Sequence, residues 1–96
     1  MVLHTLNASP ASAAFADCVK VLQTSDAVVL MGEGAYAALE GTAACKALQA
    51  TGAEIFLLAA DAKLAGVATS EPPIRCIDMN EMVILTERFP RQLAWY

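Results

Sequence analysis

Basic residues are scarce in this chain, and the scarcity limits which partners it can bind. Six of the 96 residues are lysine or arginine, against ten aspartates and glutamates, so the formal net charge is −4. Direct binding of nucleic acid depends on lysine and arginine to neutralise phosphates. We therefore expect this chain to meet a nucleic acid, tRNA included, only indirectly through a partner.

Long apolar runs are also missing. The longest extend over about five or six residues, whereas a membrane-spanning helix needs roughly 20. Pro10 and its polar neighbours lie where a signal peptide would have its apolar stretch. The sequence predicts neither a membrane span nor an export signal, and we expect a cytoplasmic protein.

Cysteine is limited to three widely spaced residues, Cys18, Cys45 and Cys76. They form no C-x-x-C pair, and His4 is the single histidine that could complete a metal site with them. Neither a disulfide framework nor a zinc site is supported by this spacing. We expect no metal and no cofactor.

The length allows one domain, residues 1–96, with no room for a second. Hydrophobic residues make up 57% of the chain, which is more than a single small domain can readily bury. We expect part of this apolar surplus to lie in an interface with another chain.

Apolar segments alternate with helical segments along the chain. Strands are predicted at 2–6, 27–31, 54–59, 74–77 and, at an edge, 92–96. The second and third are nearly continuous apolar runs, which is typical of parallel strands covered on both faces. The alternation predicts an α/β fold: an open, mostly parallel sheet of about five strands with helices on both faces, of the doubly wound type.

The predicted helices have recognisable ends. Ser9 as N-cap and Pro10 as first residue begin a helix that ends near Gln23, and Thr42 caps another that stops at Gly52. Between them a helical segment starts at about Ala35. Further helices are predicted at 61–65 and from a capping box at 78–81 to about 88, with a loop at 67–73.

The stretch "VVLMGEGAYAAL" runs from the second strand into a glycine pair, Gly32 and Gly34, that could hold a phosphate or could simply turn the chain. Ala37 stands where G-x-G-x-x-G has its third glycine, and Glu33 between the glycines would repel a pyrophosphate. We therefore interpret the stretch as a strand-to-helix turn that contributes to an interface.

Four stretches resemble the TusB/DsrH family of the DsrE-like superfamily. They are "MVLHTLNASP", "GEGAYAAL", "AADAKLAGV" and "IDMNEMVILTERFPRQLAWY". The resemblance covers nearly the whole chain, and its most specific parts are the Leu-His-Thr opening, the turn before Tyr36 and the terminal Trp95. It implies a small cytoplasmic subunit of a sulfur-relay complex.

What the resemblance implies about partners is a heterohexamer with two copies each of three homologous chains, this one and a TusC-like and a TusD-like subunit. The complex passes persulfide sulfur towards 2-thiouridine at the wobble position of tRNA. A related complex serves dissimilatory sulfur oxidation. Expressed alone, the chain is expected to form a homo-oligomer, because an apolar interface without its partner subunits can bind their nearest homologue, a second copy of this chain.

Superfamily members that carry sulfur have a cysteine near the end of the third strand. Here that region is Ala59, Ala60 and Asp61, without a thiol. The resemblance thus implies a non-catalytic or accessory subunit. The alternative is a direct persulfide carrier that uses Cys18, or less readily Cys45, whose place near a helix start beside Lys46 could lower its pKa.

The remaining candidate residues are interpreted one by one. Cys18 is either a small core residue or a carrier, and Cys76, within a short apolar strand, is predicted to be buried and inert. His4 is interpreted as a structural histidine rather than a catalytic base. The candidate interface residues are exposed-turn or aromatic positions: Glu33, Gly34, Tyr36, Trp95 and Tyr96.

Overall fold

A computed structural model of the protein describes residues 1–67 and 74–96. The strands are β1 (Val2–Leu6), β2 (Ala27–Leu30), β3 (Glu54–Leu58), β4 (Ile74–Ile77) and β5 (Arg91–Trp95). The helices are α1 (Ala13–Val21), a 3-10 helix (Gly32–Ala38), α2 (Ala43–Ala50), α3 (Ala59–Ala65) and α4 (Met79–Arg88). Apart from its first residue, the loop predicted at 67–73 lies outside the described residues.

The five strands form one parallel sheet in the order β4-β3-β2-β1-β5. Leu6 pairs with Leu30, and Leu30 pairs with Leu57, so the carboxyl ends of the three central strands meet along one edge. All four residues of β2 are buried, as expected for the centre of a parallel sheet. The predicted α/β class, with parallel strands and an edge strand at the end of the chain, is confirmed.

Helices cover both faces of the sheet and give the protein two apolar clusters. On one face, Val28 and Leu30 pack in a cluster with residues of α1 and α2, including Cys18 and Leu48. On the other, the alternate residues of the strands pack with α4, chiefly through Leu85. We call these the α1 face and the α4 face. The longest helix of the described residues, α4, has ten residues, and none there is long and apolar enough to cross a membrane.

The first helix begins later than the sequence predicted. Ser12, not Ser9, is the N-cap of α1, and its hydroxyl accepts the N–H of Phe15 at 3.2 Å. Ser9 instead closes a turn, because its carbonyl accepts both the N–H and the hydroxyl of Ser12. Both serines are residue types that can cap a helix, and the turn closed by these two hydrogen bonds places Ser12 at the helix start.

The segment after β2 also differs from its prediction. It is a 3-10 helix that begins at Gly32, where the sequence predicted a turn and then a helix from about Ala35. Three other predicted helix ends are confirmed, whereas α3 begins at Ala59, two residues before its predicted start. Thr42 caps α2, Gly66 ends α3 in the left-handed region at φ 72°, and the Asp78 capping box begins α4.

Candidate functional site

In folds of this kind, ligands bind at the carboxyl edge of the sheet. At this edge β2 is followed by the 3-10 helix and β3 is followed by α3. The N–H of Gly32 donates to the carboxylate of Asp61 at 2.9 Å, and Glu33 beside it is exposed. A phosphate at this turn would have to compete with one carboxylate and lie next to another. The arrangement supports the interpretation of this stretch as a turn.

Gly34 has a packing role that the sequence did not reveal. A Cβ at this position would lie 2.1 Å from the carbonyl oxygen of Leu6. The 3-10 helix therefore lies directly against the end of β1, and only glycine leaves enough room. Gly34 is buried against β1, whereas Glu33 lies at the surface, and the interface role predicted for the two residues stays a prediction.

Apolar side chains are exposed on the neighbouring part of this edge. Tyr36 is 45% exposed and Leu39 41% exposed, and Leu64 on α3, which packs against the 3-10 helix, is 86% exposed. A group of exposed apolar side chains can mark an interaction site, whereas single exposed apolar residues are common on protein surfaces. We refer to these three residues as the Tyr36 surface.

The start of α3 corresponds to the position where the resemblance leads one to look for a carrier thiol. Ala59 and Ala60 are exposed in the first turn of α3, directly after β3, and Asp61 follows. The backbone thus offers an accessible helix start at the carboxyl end of a strand, but its side chains are methyl groups and a carboxylate. Across the described residues, no three His, Cys, Asp or Glu side chains are grouped so as to hold a metal ion.

The two candidate carrier cysteines are buried on the α1 face. Cys18 is fully buried, and desolvation raises the pKa of its thiol to about 12. Burial, and then the nearby charge of Glu40, raise the pKa of Cys45, whose sulfur accepts the side-chain N–H of Gln49 at 3.4 Å. The pKa of Cys45 is therefore raised, not lowered as its position near a helix start suggested, because its thiol packs into the core.

Cys76 was predicted to be buried, and the structure places it at the surface. The strand that contains it, β4, is an edge strand in which Ile74 and Ile77 are buried while Arg75 and Cys76 are exposed. The apolar sequence of β4 indicated a covered strand but not that it would lie at the edge. Cys76 pairs with Leu57, two residues before α3 begins.

Exposure predicts the order in which the three thiols react. With iodoacetamide under native conditions, Cys76 should be alkylated first, and Cys18 and Cys45 only on the slower timescale of local or global unfolding. Mass spectrometry of peptides at successive times measures the three rates. Unfolding in urea is the control that should equalise them. Alkylation of Cys18 as fast as Cys76 in the native protein would contradict this order.

His4 lies in a buried polar chain that joins three strands. The indole N–H of Trp95 donates to Nδ1 of His4 at 3.0 Å, and Nε2 of His4 lies 3.2 Å from Oδ2 of Asp26. Because Nδ1 accepts from the indole, the proton of the neutral ring belongs on Nε2, where it is donated to Asp26. The two rings are also stacked, with centroids 6.2 Å apart.

Asp26 anchors this chain at the start of β2. Its carboxylate accepts the backbone N–H groups of Val2 at 2.9 Å and Gln23 at 3.1 Å in addition to His4. Burial tends to raise the pKa of this carboxyl, but the hydrogen bonds from Gln23, Val2 and His4 outweigh it, so the pKa lies below its ordinary value. The sequence analysis did not predict this role of Asp26. In the sequence, only its position directly before an apolar strand pointed to it.

Trp95 belongs to this network and to the core of its own chain. This predicted interface residue is partly buried, packs against the α1-face cluster and is hydrogen-bonded to His4, while Tyr96 beyond it is 84% exposed. The Leu-His-Thr opening and the terminal tryptophan are thus two ends of one contact. Both belonged to the most specific parts of the family resemblance.

Comparison with known proteins supports this resemblance. Residues 8–92 match the family described as DsrH like protein. The chain is 35% identical to protein TusB of Pectobacterium parmentieri and 30% identical to protein TusB of Escherichia coli, in each case over 98% of this chain and all of the relative.

Solved structures share the fold at lower sequence identity. The ychN protein of Escherichia coli matches with a TM-score of 0.71 and 15% identity, covering 97% of each chain. Protein Tm0979 of Thermotoga maritima matches with a TM-score of 0.69 and 20% identity, covering 92% of this chain and 93% of its own. The fold is common to all three, and the sequence match over most of the chain shows that this protein belongs to the DsrH-like family.

Proposed function

We propose that this chain is a non-catalytic or accessory subunit of a sulfur-relay complex that passes persulfide sulfur towards 2-thiouridine at the tRNA wobble position. Its relatives are named protein TusB, and it belongs to the DsrH-like family. The observation that carries the accessory role is the start of α3, which is exposed and holds Ala59, Ala60 and Asp61 where sulfur-carrying members of the superfamily have a cysteine.

Persulfide transfer has chemical requirements that this position does not meet. The carrier's thiolate attacks the outer sulfur of a donor persulfide, a new S–S bond forms, and the donor leaves as a thiolate. An alanine methyl group offers no nucleophile for that attack. The carboxylate of Asp61, which is hydrogen-bonded to Gly32, would in addition repel an anionic persulfide brought close to it.

Direct sulfur carriage by this chain is the alternative, and burial weighs against it. Cys18 would have to leave the core before it could attack, and at neutral pH a thiol with a pKa of about 12 is almost entirely protonated. Cys45 is buried as well and has a raised pKa. Both thiols are therefore better explained as small core residues.

Subunit assembly is the function that the surface supports. The Tyr36 surface leaves an aromatic ring and two leucines in water beside the carboxyl edge of the sheet. We propose that this surface contacts one of two homologous subunits in a cytoplasmic heterohexamer, and that tRNA is reached only through the assembled complex. With a net charge of −4, this chain would add little to binding of an RNA backbone.

Affinity capture of the tagged chain from its native cells tests the proposal. We expect two homologous DsrE-like chains to be recovered with it, and native mass spectrometry to give two copies of each of the three. Loss of 2-thiouridine from tRNA in cells that lack this chain would distinguish tRNA thiolation from dissimilatory sulfur oxidation. Recovery of the chain without any such partner would overturn the proposal.

Sulfur loading separates the accessory role from direct carriage. We expect the isolated chain carrying Cys76→Ser to accept far less than one labelled sulfur per chain from a small-molecule persulfide, because its remaining thiols are buried. The substitution removes the one exposed thiol, which could react without functional meaning. Loading of nearly one sulfur per chain that disappears when Cys18→Ser is added would establish the alternative instead.

Tyr36→Ala should weaken assembly with the partner subunits by about 1–3 kcal/mol, or about 5- to 150-fold in the dissociation constant. Its ring is 45% exposed, so the isolated fold should lose little stability. The matched control is Tyr36→Phe, which keeps the ring and removes the hydroxyl. Titration of partner subunits beside a thermal melt makes the measurement. Unchanged affinity with a clearly lower melting temperature would contradict the interface role.

A further inference from the structure

Among residues 1–67 and 74–96, β5 pairs only with β1, so its outer edge presents backbone groups that no described strand pairs with. The N–H of Asn7 donates to the carbonyl of Trp95 at 2.9 Å, and Leu6 pairs with Trp95 in the parallel ladder. In a parallel ladder, alternate residues direct both their N–H and C=O to the same neighbour. Trp95, Leu93 and Arg91 therefore face β1, whereas Gln92 and Ala94 direct their N–H and C=O groups away from the sheet.

The side chains of β5 are exposed as well. Residues 91–94 are all at the surface, and Leu93 in the middle of the strand is 49% exposed. An exposed strand edge with an apolar side chain at its centre is a template for pairing with another strand. The neighbouring Pro90 cannot donate a hydrogen bond, so it limits such a ladder to β5 itself.

We propose that β5 pairs in antiparallel orientation with β5 of a second copy of this chain, about a two-fold axis at Leu93. In this register Gln92 lies opposite Ala94 of the second copy, and the two pairs exchange four N–H···O=C bonds between the outward-facing groups. The two copies of Leu93 meet as a non-hydrogen-bonded pair, whose Cα atoms are about 4.5 Å apart in such ladders. The two five-residue strands are then fully paired.

The side chains of β5 can be accommodated opposite those of a second copy. Arg91 of one copy lies opposite Trp95 of the other, on the α1 side of the joined sheet, where a guanidinium can contact an indole ring. The two Arg91 side chains are four residues apart along the ladder, about 13 Å, which is beyond a Debye length at physiological salt. Repulsion between the two Arg91 side chains therefore does not prevent this pairing.

Neighbouring registers are less favourable. An axis at Gln92 brings Pro90 opposite Ala94, and Pro90 has no N–H to donate. An axis at Ala94 leaves Arg91 without a strand residue opposite it and requires Tyr96, which lies past the end of β5. The inference rests on the self-association expected of the chain alone under the proposed function, and it assigns that association to one edge and one register.

Cysteine cross-linking tests the register. In chains that also carry Cys76→Ser, Leu93→Cys should form a disulfide-linked dimer when a mild disulfide oxidant such as oxidised glutathione takes up the two thiols' electrons. Gln92→Cys and Ala94→Cys are matched controls, because at those positions the Cα atoms of the two copies lie beyond the roughly 7 Å limit for a disulfide. We expect at least tenfold faster cross-linking at Leu93→Cys. Faster cross-linking at either control would overturn the register.

Sedimentation of the uncrosslinked protein provides an independent test. Leu93→Lys brings two ammonium groups together at the axis and should weaken dimerisation at least tenfold, while Met79→Lys, at a residue 64% exposed in the first turn of α4, should not. A monomeric wild-type chain at tens of micromolar would overturn the inference. Dimers that form equally well with Leu93→Lys would also overturn it and would leave self-association through another surface intact.

Discussion

Gly34→Ala is expected to destabilise the protein by about 3 kcal/mol or more, a loss typical of overpacking at a site that cannot relax. The added Cβ would lie 2.1 Å from the carbonyl oxygen of Leu6 and 3.0 Å from its carbonyl carbon. Both atoms belong to the backbone of a central strand, and the same oxygen already accepts the N–H of Met31 at 3.1 Å. Relief of the clash must therefore disturb the pairing of β1 with β2 or shift the 3-10 helix.

Gly41→Ala is the matched control for this prediction. Gly41 has a φ of 78°, and a Cβ there would meet no atom within 4 Å. The control carries only the cost of placing a side chain in the left-handed region, about 1 kcal/mol. Urea unfolding of both variants gives the two losses. A Gly34→Ala variant no less stable than Gly41→Ala would show that the 3-10 helix moves away from β1 without cost.

The close approach at Gly34 explains what the glycine pair does. Local sequence showed a strand followed by two glycines, and Glu33 and Ala37 argued against a phosphate-binding motif. It could not show that β1, some 28 residues earlier in the chain, ends directly beneath Gly34. Contacts between segments that are distant in sequence depend on strand order, which local patterns leave open.

The features that the sequence predicted well are those that depend on neighbouring residues. Continuous apolar runs marked the buried strands, Thr42 marked the start of α2, and the Asp78–Glu81 pair marked the start of α4. Each rests on hydrogen bonds within four residues or on burial of the segment itself. The parallel sheet followed from their alternation.

The sites were harder to predict because they depend on the tertiary arrangement. Cys76 is exposed on an edge strand, whereas Cys45 lies on the buried side of helix α2. The partners of His4 are 22 and 91 residues away along the chain. Only the shared membership of His4 and Trp95 in the family resemblance hinted that the two residues belong together.

Asp26→Asn is the second substitution with a large expected effect, a loss of about 2–4 kcal/mol in the free energy of unfolding at neutral pH. The two carboxylate oxygens of Asp26 accept three N–H groups, from Val2, Gln23 and His4. An asparagine has one such oxygen, so its NH₂ group must face at least one donor. His4 could accept from that group only by moving its proton to Nδ1, where the indole N–H of Trp95 already points.

The effect of Asp26 should depend on pH. Its pKa in the folded protein lies below the unfolded value of 3.8, so the unfolded state binds more protons between the two values. The stability that the carboxylate provides is therefore complete well above pH 3.8 and is lost as the pH falls through the folded pKa. The stability difference between wild type and Asp26→Asn should be constant near neutral pH and narrow in acid.

Chemical denaturation at a series of pH values measures this difference, and Asp17→Asn is the matched control. Asp17 is exposed on α1, so its substitution should change stability by no more than about 0.5 kcal/mol. Near-ultraviolet circular dichroism adds a structural readout, because Asp26→Asn should alter the environment of Trp95 through His4, whereas Asp17→Asn should not. If the difference between wild type and Asp26→Asn instead widened as the pH fell, the pKa of Asp26 would be raised in the folded protein. The hydrogen bonds from Val2, Gln23 and His4 would then fail to outweigh the cost of burying its charge.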